Sequence, residues 1–300
     1  MKDSRWKGIL QQAIGHIRAF ARRPAAPAAP ALPRVGLALG GGFARGLSHI
    51  GVLKVLEENG VPVACLAGTS IGSIIAGAYA SGRPIGEMAE VARRVRWRDF
   101  GQWTLSRMGL ASNQRLEAFV RRVFRAVRFE DLKIPLAVVA TDLLHGRPVV
   151  FTSGELGLAI RASCAYPGLF LPVAYDGGWL VDGGLVSEVP TQAAKALGAD
   201  IIIGVQLDNL HPGLEPKSMV DVLGRAFSIA QQTAEPVWRG YADLVVQPGV
   251  AEFRWDEFER ADELIAAGEA AMRAVLPRLQ ERLQPTTTPQ SGATRPAAAL

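Results

Sequence analysis

Apolar and polar positions alternate along this chain in a strand, helix, strand, helix order. Val35 to Leu39 is a short apolar run ending in glycines, the pattern of a buried strand entering a turn. Arg45 to Glu58 has helical spacing, with Leu47, Ile50, Leu53 and Leu56 on one stripe, and Gly60 closes it. Val63 to Ala67 predicts a second strand and Ile71 to Ser81 a buried helix. Leu136–Ala140, Ile201–Gln206 and Tyr241–Gln247 read as further strands, and Met219–Glu235 and Phe258–Leu283 as helices. Val173-Ala174-Tyr175 and Trp179-Leu180-Val181 flank Asp176-Gly177-Gly178, where Asp-Gly is the usual hairpin turn. Such alternation predicts an α/β fold with a mainly parallel sheet covered by helices on both faces.

The ends of the chain follow other patterns. In residues 1–23, Trp6, Ile9, Leu10, Ala13, Ile14, Ile17 and Phe20 recur at three- and four-residue steps, predicting an amphipathic helix. Residues 24–33 form a Pro/Ala linker, the folded domain is expected over 34–283, and residues 284–300 read as a disordered tail. The chain's net charge is +5, and residues 1–23 alone carry +5, so the remainder sums to zero. The basic character therefore belongs to an arm suited to peripheral contact with an anionic membrane, the alternative being a helix docked on the protein's own body or on a partner subunit, and nucleic acid is not an expected partner. Within the domain, residues 91–128 hold ten arginines against Asp99 and Glu117, which reads as a solvated helical face or as a basic flap meeting lipid head groups. Without a run of 18 apolar residues no transmembrane helix is predicted, and a cytoplasmic location, peripheral at the inner membrane surface, is expected. Two cysteines and four scattered histidines suggest neither a disulfide framework nor a metal site, and no cofactor is expected.

Three segments carry candidate chemistry. Gly68-Thr69-Ser70-Ile71-Gly72 lies between a strand and a helix, where a serine on a sharp turn is held exposed beside the positive helix end. Gly40-Gly41-Gly42-Phe43-Ala44-Arg45-Gly46 also joins a strand to a helix, and its successive N–H groups can stabilise an oxyanion. A dinucleotide loop is the rival reading, but the next strand ends in Ala67-Gly68-Thr69-Ser70 rather than in the acid such a site wants. Asp182-Gly183-Gly184 follows Trp179-Leu180-Val181, and two glycines there leave room for another backbone. A Ser–His–Asp triad would use His211, with Asp208 upstream. His49 reads as a packing or capping residue and Cys164 as a buried, inert thiol.

These motifs, with A-S-x-x-x-P at 162–167, stand in the order of the patatin-like phospholipase family, which residues 34–190 resemble. Residues 34–283 as a whole resemble its bacterial members related to neuropathy-target esterase. The resemblance implies a three-layer α/β/α sandwich and a Ser–Asp dyad working without histidine or metal. It assigns Ser70 as nucleophile and Asp182 as base, and the N–H groups of Gly41, Gly42 and Phe43 as oxyanion hole. Gly40, Arg45 and Gly46 would support that loop, Gly68 and Gly72 the serine turn, and Gly183 and Gly184 the base. Phe43 stands where many members have a third glycine, so its Cβ restricts the backbone of the third donor. The implied activity is hydrolysis of acyl esters of phospholipids or related lipids through an acyl-enzyme. An acyltransferase with the same dyad and a catalytically silent regulatory protein are the alternatives. Oligomeric state is left open.

Overall fold

A computed structural model describes residues 32–207, 215 and 217–284. The strands are β1 (Val35–Leu39), β2 (Val63–Thr69), β3 (Gln102–Trp103), β4 (Gly109–Ser112), β5 (Leu136–Asp142), β6 (Arg147–Phe151), β7 (Gly168–Phe170), β8 (Val173–Tyr175), β9 (Gly178–Asp182), β10 (Ile201–Val205) and β11 (Leu244–Val246). The helices are α1 (Ser48–Glu58), α2 (Ile71–Ala80), α3 (Ile85–Arg94), α4 (Trp97–Phe100), α5 (Arg115–Val123), α6 (Leu156–Ser163), α7 (Thr191–Ala196), α8 (Met219–Arg239) and α9 (Ala261–Leu283). Residues 33–284 form one compact unit.

The main sheet runs β11-β10-β1-β2-β5-β9-β8, with β6 also on β5. Its centre, from β11 to β5, is parallel, while β6, β8 and β9 add antiparallel pairs at one side. Side-chain size alternates along the central strands. Leu37, Leu66, Val138 and Ile203 join the large core under α1, α2, α6 and α9. Ala38, Cys65, Ala67 and Ala137 face the other way, and their small side chains let α7 and the Trp238 end of α8 lie close to the sheet. Helices on both faces complete a three-layer α/β/α sandwich, the architecture expected from the sequence.

One irregularity positions the site. β2 pairs with residues 136–139 of β5 and β9 pairs with residues 140–142, while β6 spans residues 138–142. A strand has two edges, and β6 overlaps both of the others, so β2 and β9 share one edge of β5 end to end. Their C-terminal ends meet there: Thr69 is opposite Val139, and Asp182 is opposite the next residue, Ala140.

The predicted helix from Arg45 begins as a 3-10 turn over Phe43–Leu47 before α1. A Cβ at Gly46 would lie 2.3 Å from Ile71, so the chain is drawn tight against α2 at this turn. The predicted arm (1–23), all but the last two residues of the predicted linker (24–33), all but the first residue of the predicted tail (284–300), and Asp208 and His211 lie outside the described residues.

Candidate active site

Ser70 sits between β2 and α2 with φ 54° and ψ −128°, a strained conformation for a residue bearing a side chain. Gly72 makes the turn possible, since a Cβ there would lie 2.2 Å from the Leu39 carbonyl oxygen. Gly68 sits equally tightly, against the backbone of Ser73. The Ser70 N–H donates to Ser163 Oγ at 2.8 Å, and that hydroxyl donates to the Val139 carbonyl at 2.6 Å. Ser163 thus anchors the turn to the sheet. It lies within the A-S-x-x-x-P motif, the signal from which such a role could have been sought.

Asp182 ends β9, is buried, and accepts a hydrogen bond from the Gly184 N–H at 2.8 Å. The Ser70 hydroxyl faces the same carboxylate across the cavity and favours its charged form. Burial pushes the Asp182 carboxyl up to about 7, against the opposing pull of these two donors. Gly183 and Gly184 form the 3-10 turn after it, packed on β5 and α8. The Thr141 hydroxyl donates to the Asp182 carbonyl at 2.8 Å, fixing the strand end from the neighbouring strand. Asp176, by contrast, occupies the hairpin turn between β8 and β9, where it and Gly177 both have positive φ.

The glycine loop passes beside Ser70. A Cβ at Gly41 would be 3.4 Å from that of Ser70. The Gly40 N–H bonds Val205 and the Ala44 N–H bonds Trp255, both at 3.0 Å. Between these anchors, Gly41, Gly42 and Phe43 line the same cavity as Ser70 and Asp182. Phe43 takes φ 52°, the conformation its Cβ disfavours. Its ring packs on Tyr166 at 5.1 Å and Trp255 at 5.2 Å, contacts that hold the strained backbone in place. Arg45 is buried and its Nε donates to the Phe253 carbonyl at 2.9 Å, tying the loop to the 251–255 segment.

His49 is wholly buried, and its Nε2 lies 2.9 Å from the Gly40 carbonyl oxygen. Burial lowers the ring to about 4, so near neutrality it is an uncharged donor to that carbonyl. Because Gly40 C=O and Gly41 N–H belong to one planar peptide, this bond also sets the direction of the Gly41 N–H. Helical spacing alone did not reveal that contact. Cys164 is buried beside Ser70 and Ser73, and burial together with the Asp182 charge pushes its thiol up, against thiolate chemistry. The cavity holds about 670 Å³ and is walled largely by Tyr166, Leu169, Leu223, Phe227, Phe253 and Trp255.

A strained serine between a parallel strand and a helix, beside a buried carboxylate and a glycine loop, is the strand–turn–helix arrangement of an elbow in an α/β protein. The chain belongs to the patatin-like phospholipase family, whose model matches residues 37–195. It is 38% identical over 200 residues to an uncharacterized NTE family protein of Mycobacterium tuberculosis (strain ATCC 25618 / H37Rv), covering 64% of this chain and 55% of that one. It is 30% identical over 226 residues to lysophospholipase nte1 of Aspergillus fumigatus, covering 73% of this chain and 14% of that one. The chain thus spans about half the length of the mycobacterial relative and a small part of the fungal one. Among solved structures, VipD from Legionella pneumophila shares the fold, with a TM-score of 0.51 at 13% identity over 83% of this chain and 67% of that one. Among the described residues no helix is long and apolar enough to cross a membrane.

Proposed function

We propose that this protein hydrolyses carboxylic ester bonds of phospholipids or related lipids, with Ser70 as nucleophile and Asp182 as the single general base. The observation that carries this reading is the meeting of the strained Ser70 turn with the buried Asp182 carboxylate at one edge of β5. Asp182 takes the Ser70 proton as Oγ bonds to the ester carbonyl carbon. The developing oxyanion accepts hydrogen bonds from the Gly41, Gly42 and Phe43 N–H groups. Collapse breaks the bond to the alcohol, which leaves with the proton held by Asp182. Water then attacks the acyl-enzyme, giving its proton to Asp182, and the fatty acid departs as Ser70 recovers that proton. The apolar and aromatic walls of the cavity suit an acyl chain. The name of the fungal relative, lysophospholipase, supports a lipid ester as substrate.

Ester turnover and fluorophosphonate labelling test this together. Ser70→Ala should lose both, and Asp182→Asn should lose about 100-fold or more in turnover, the size of a general-base effect. Asp176→Asn and His211→Ala should remain active. A dead His211→Ala with an active Asp182→Asn replaces the dyad by a histidine-based triad.

A further inference from the structure

β3 and β4 form a hairpin whose turn stands clear of the domain. Leu105 is fully exposed at its tip, and Trp103 and Met108 are 64% and 49% exposed. This hairpin is coupled to the active site along two routes. β4 pairs in parallel with β7, whose Gly168 and Leu169 line the cavity. A run of ring contacts also leads outward from the oxyanion loop: Phe43 to Trp255 at 5.2 Å, Trp255 to Trp97 at 6.1 Å, and Trp97 to Trp103 at 5.6 Å. Beside β7, the first turns of α8 expose Met219 (70%) and Val222 (53%), and Leu223 packs over Gly168 at the lining.

Large apolar side chains therefore stand in solvent on two elements that adjoin β7, itself part of the cavity lining, and such a grouping marks an interaction surface. Charge narrows the partner. Arg93, Arg122, Arg125 and Arg128 are paired with carboxylates. Exposed Arg107, between Leu105 and Met108, makes no ion pair among the described residues, and exposed Arg98, beside Trp97, lines a surface hollow with Asp256 and Glu259 without an ion pair to either. Apolar tips, a tryptophan at their base and cations beside them match the layering of acyl chains, interface and anionic head groups.

We propose that the β3–β4 hairpin and the first turns of α8 form a docking face that seats the cavity mouth on an anionic phospholipid bilayer, with Leu105 and Trp103 entering the acyl boundary. The inference rests on the lipid-ester reading of the site, because an ester drawn from a bilayer must reach Ser70 without crossing water.

The test uses the full chain with Leu105→Cys carrying an environment-sensitive fluorophore, since Cys65 and Cys164 are buried. An equivalent label at Ala196→Cys reports from the opposite end of the sheet. Vesicles of phosphatidylcholine with phosphatidylglycerol should raise and blue-shift emission at 105 and leave position 196 unmoved. No change at 105 overturns the proposal, as does a change that follows protein concentration without vesicles, which would mean a second copy covers the face. An equal response to pure phosphatidylcholine overturns the choice of an anionic surface. With Leu105→Asp and Met108→Asp combined, turnover of vesicle lipid relative to a short soluble ester should fall about tenfold or more. An unchanged ratio counts against docking. Absence of soluble-ester turnover in the wild-type chain would instead overturn the hydrolase reading, and its persistence in Ser70→Ala the choice of nucleophile, either leaving the emission result intact.

Discussion

Burial raises the Asp182 carboxyl to about 7, and two pH dependences of opposite sign follow. Only the carboxylate can take the Ser70 proton, so kcat/KM should rise with pH through an apparent value near 7. Stability runs the other way. The folded state holds this proton up to about 7, whereas the unfolded chain releases it near the ordinary value of 3.8. That contribution is complete below the unfolded value and is lost as pH rises through the folded one. His49 opposes it over part of the range. Its folded value near 4 lies below the ordinary 6.5, so the unfolded state binds the extra proton and stability is lost as pH falls between them. Above about pH 6.5 the Asp182 contribution stands alone of the two. Asp182→Asn should therefore gain stability relative to wild type as pH rises from 4 to 8, with a slope of up to about 1.4 kcal/mol per pH unit. Urea unfolding at several pH values measures it; a flat difference would mean that Asp182 ionises in the folded state as readily as in water.

At the scale of elements, α1 and α9 cross at glycines. A Cβ at Gly268 would lie 1.8 Å from the Ser48 carbonyl oxygen, and one at Gly51 would lie 2.0 Å from that of Ile265. Backbone cannot yield as a flexible side chain does, so Gly268→Ala should separate the helices. We expect a net loss of roughly 2 kcal/mol, overpacking outweighing the gain in helix propensity. Activity should fall with it, because α1 carries His49 and through it the Gly40 peptide. Equal or greater urea resistance in the variant would show that the crossing tolerates a methyl group. Neither glycine is distinguishable in sequence from any other helical glycine, since the close approach is made by residues more than 200 positions away. The central strands were legible for the opposite reason: burial on both faces leaves unbroken apolar runs such as Val35–Leu39 and Ile201–Val205. The three-stranded sheet of β3, β4 and β7 was missed, its strands being two to four residues long and partly exposed. The motifs showed which residues to examine, but the sharing of a β5 edge that brings Ser70 to Asp182 is a matter of strand order. Ser163, which anchors the Ser70 turn, lies in the A-S-x-x-x-P motif, whose spacing alone does not say which backbone its hydroxyl holds.

At the scale of the whole molecule, charge and apolar surface are divided between two regions. Residues 1–23 carry the entire net charge of +5 and apolar residues from Trp6 onward at helical spacing, while the proposed docking face belongs to residues 33–284. The first would supply tethering and the second orientation, and deletion separates them. A chain starting at Arg34 keeps every proposed site residue, so its turnover of a soluble ester should match that of the full chain. Its partition onto anionic vesicles should drop about 100-fold or more, because each basic residue near such a surface contributes roughly 1 kcal/mol and six are removed. Salt should weaken binding of the full chain more than that of the truncated one, since Coulomb attraction is screened and apolar insertion is not. Vesicle flotation of the two chains, at low and at physiological ionic strength, reads both effects. Equal flotation of the two, or flotation of neither, would remove residues 1–23 from the account of membrane binding and leave any association to the hairpin and α8.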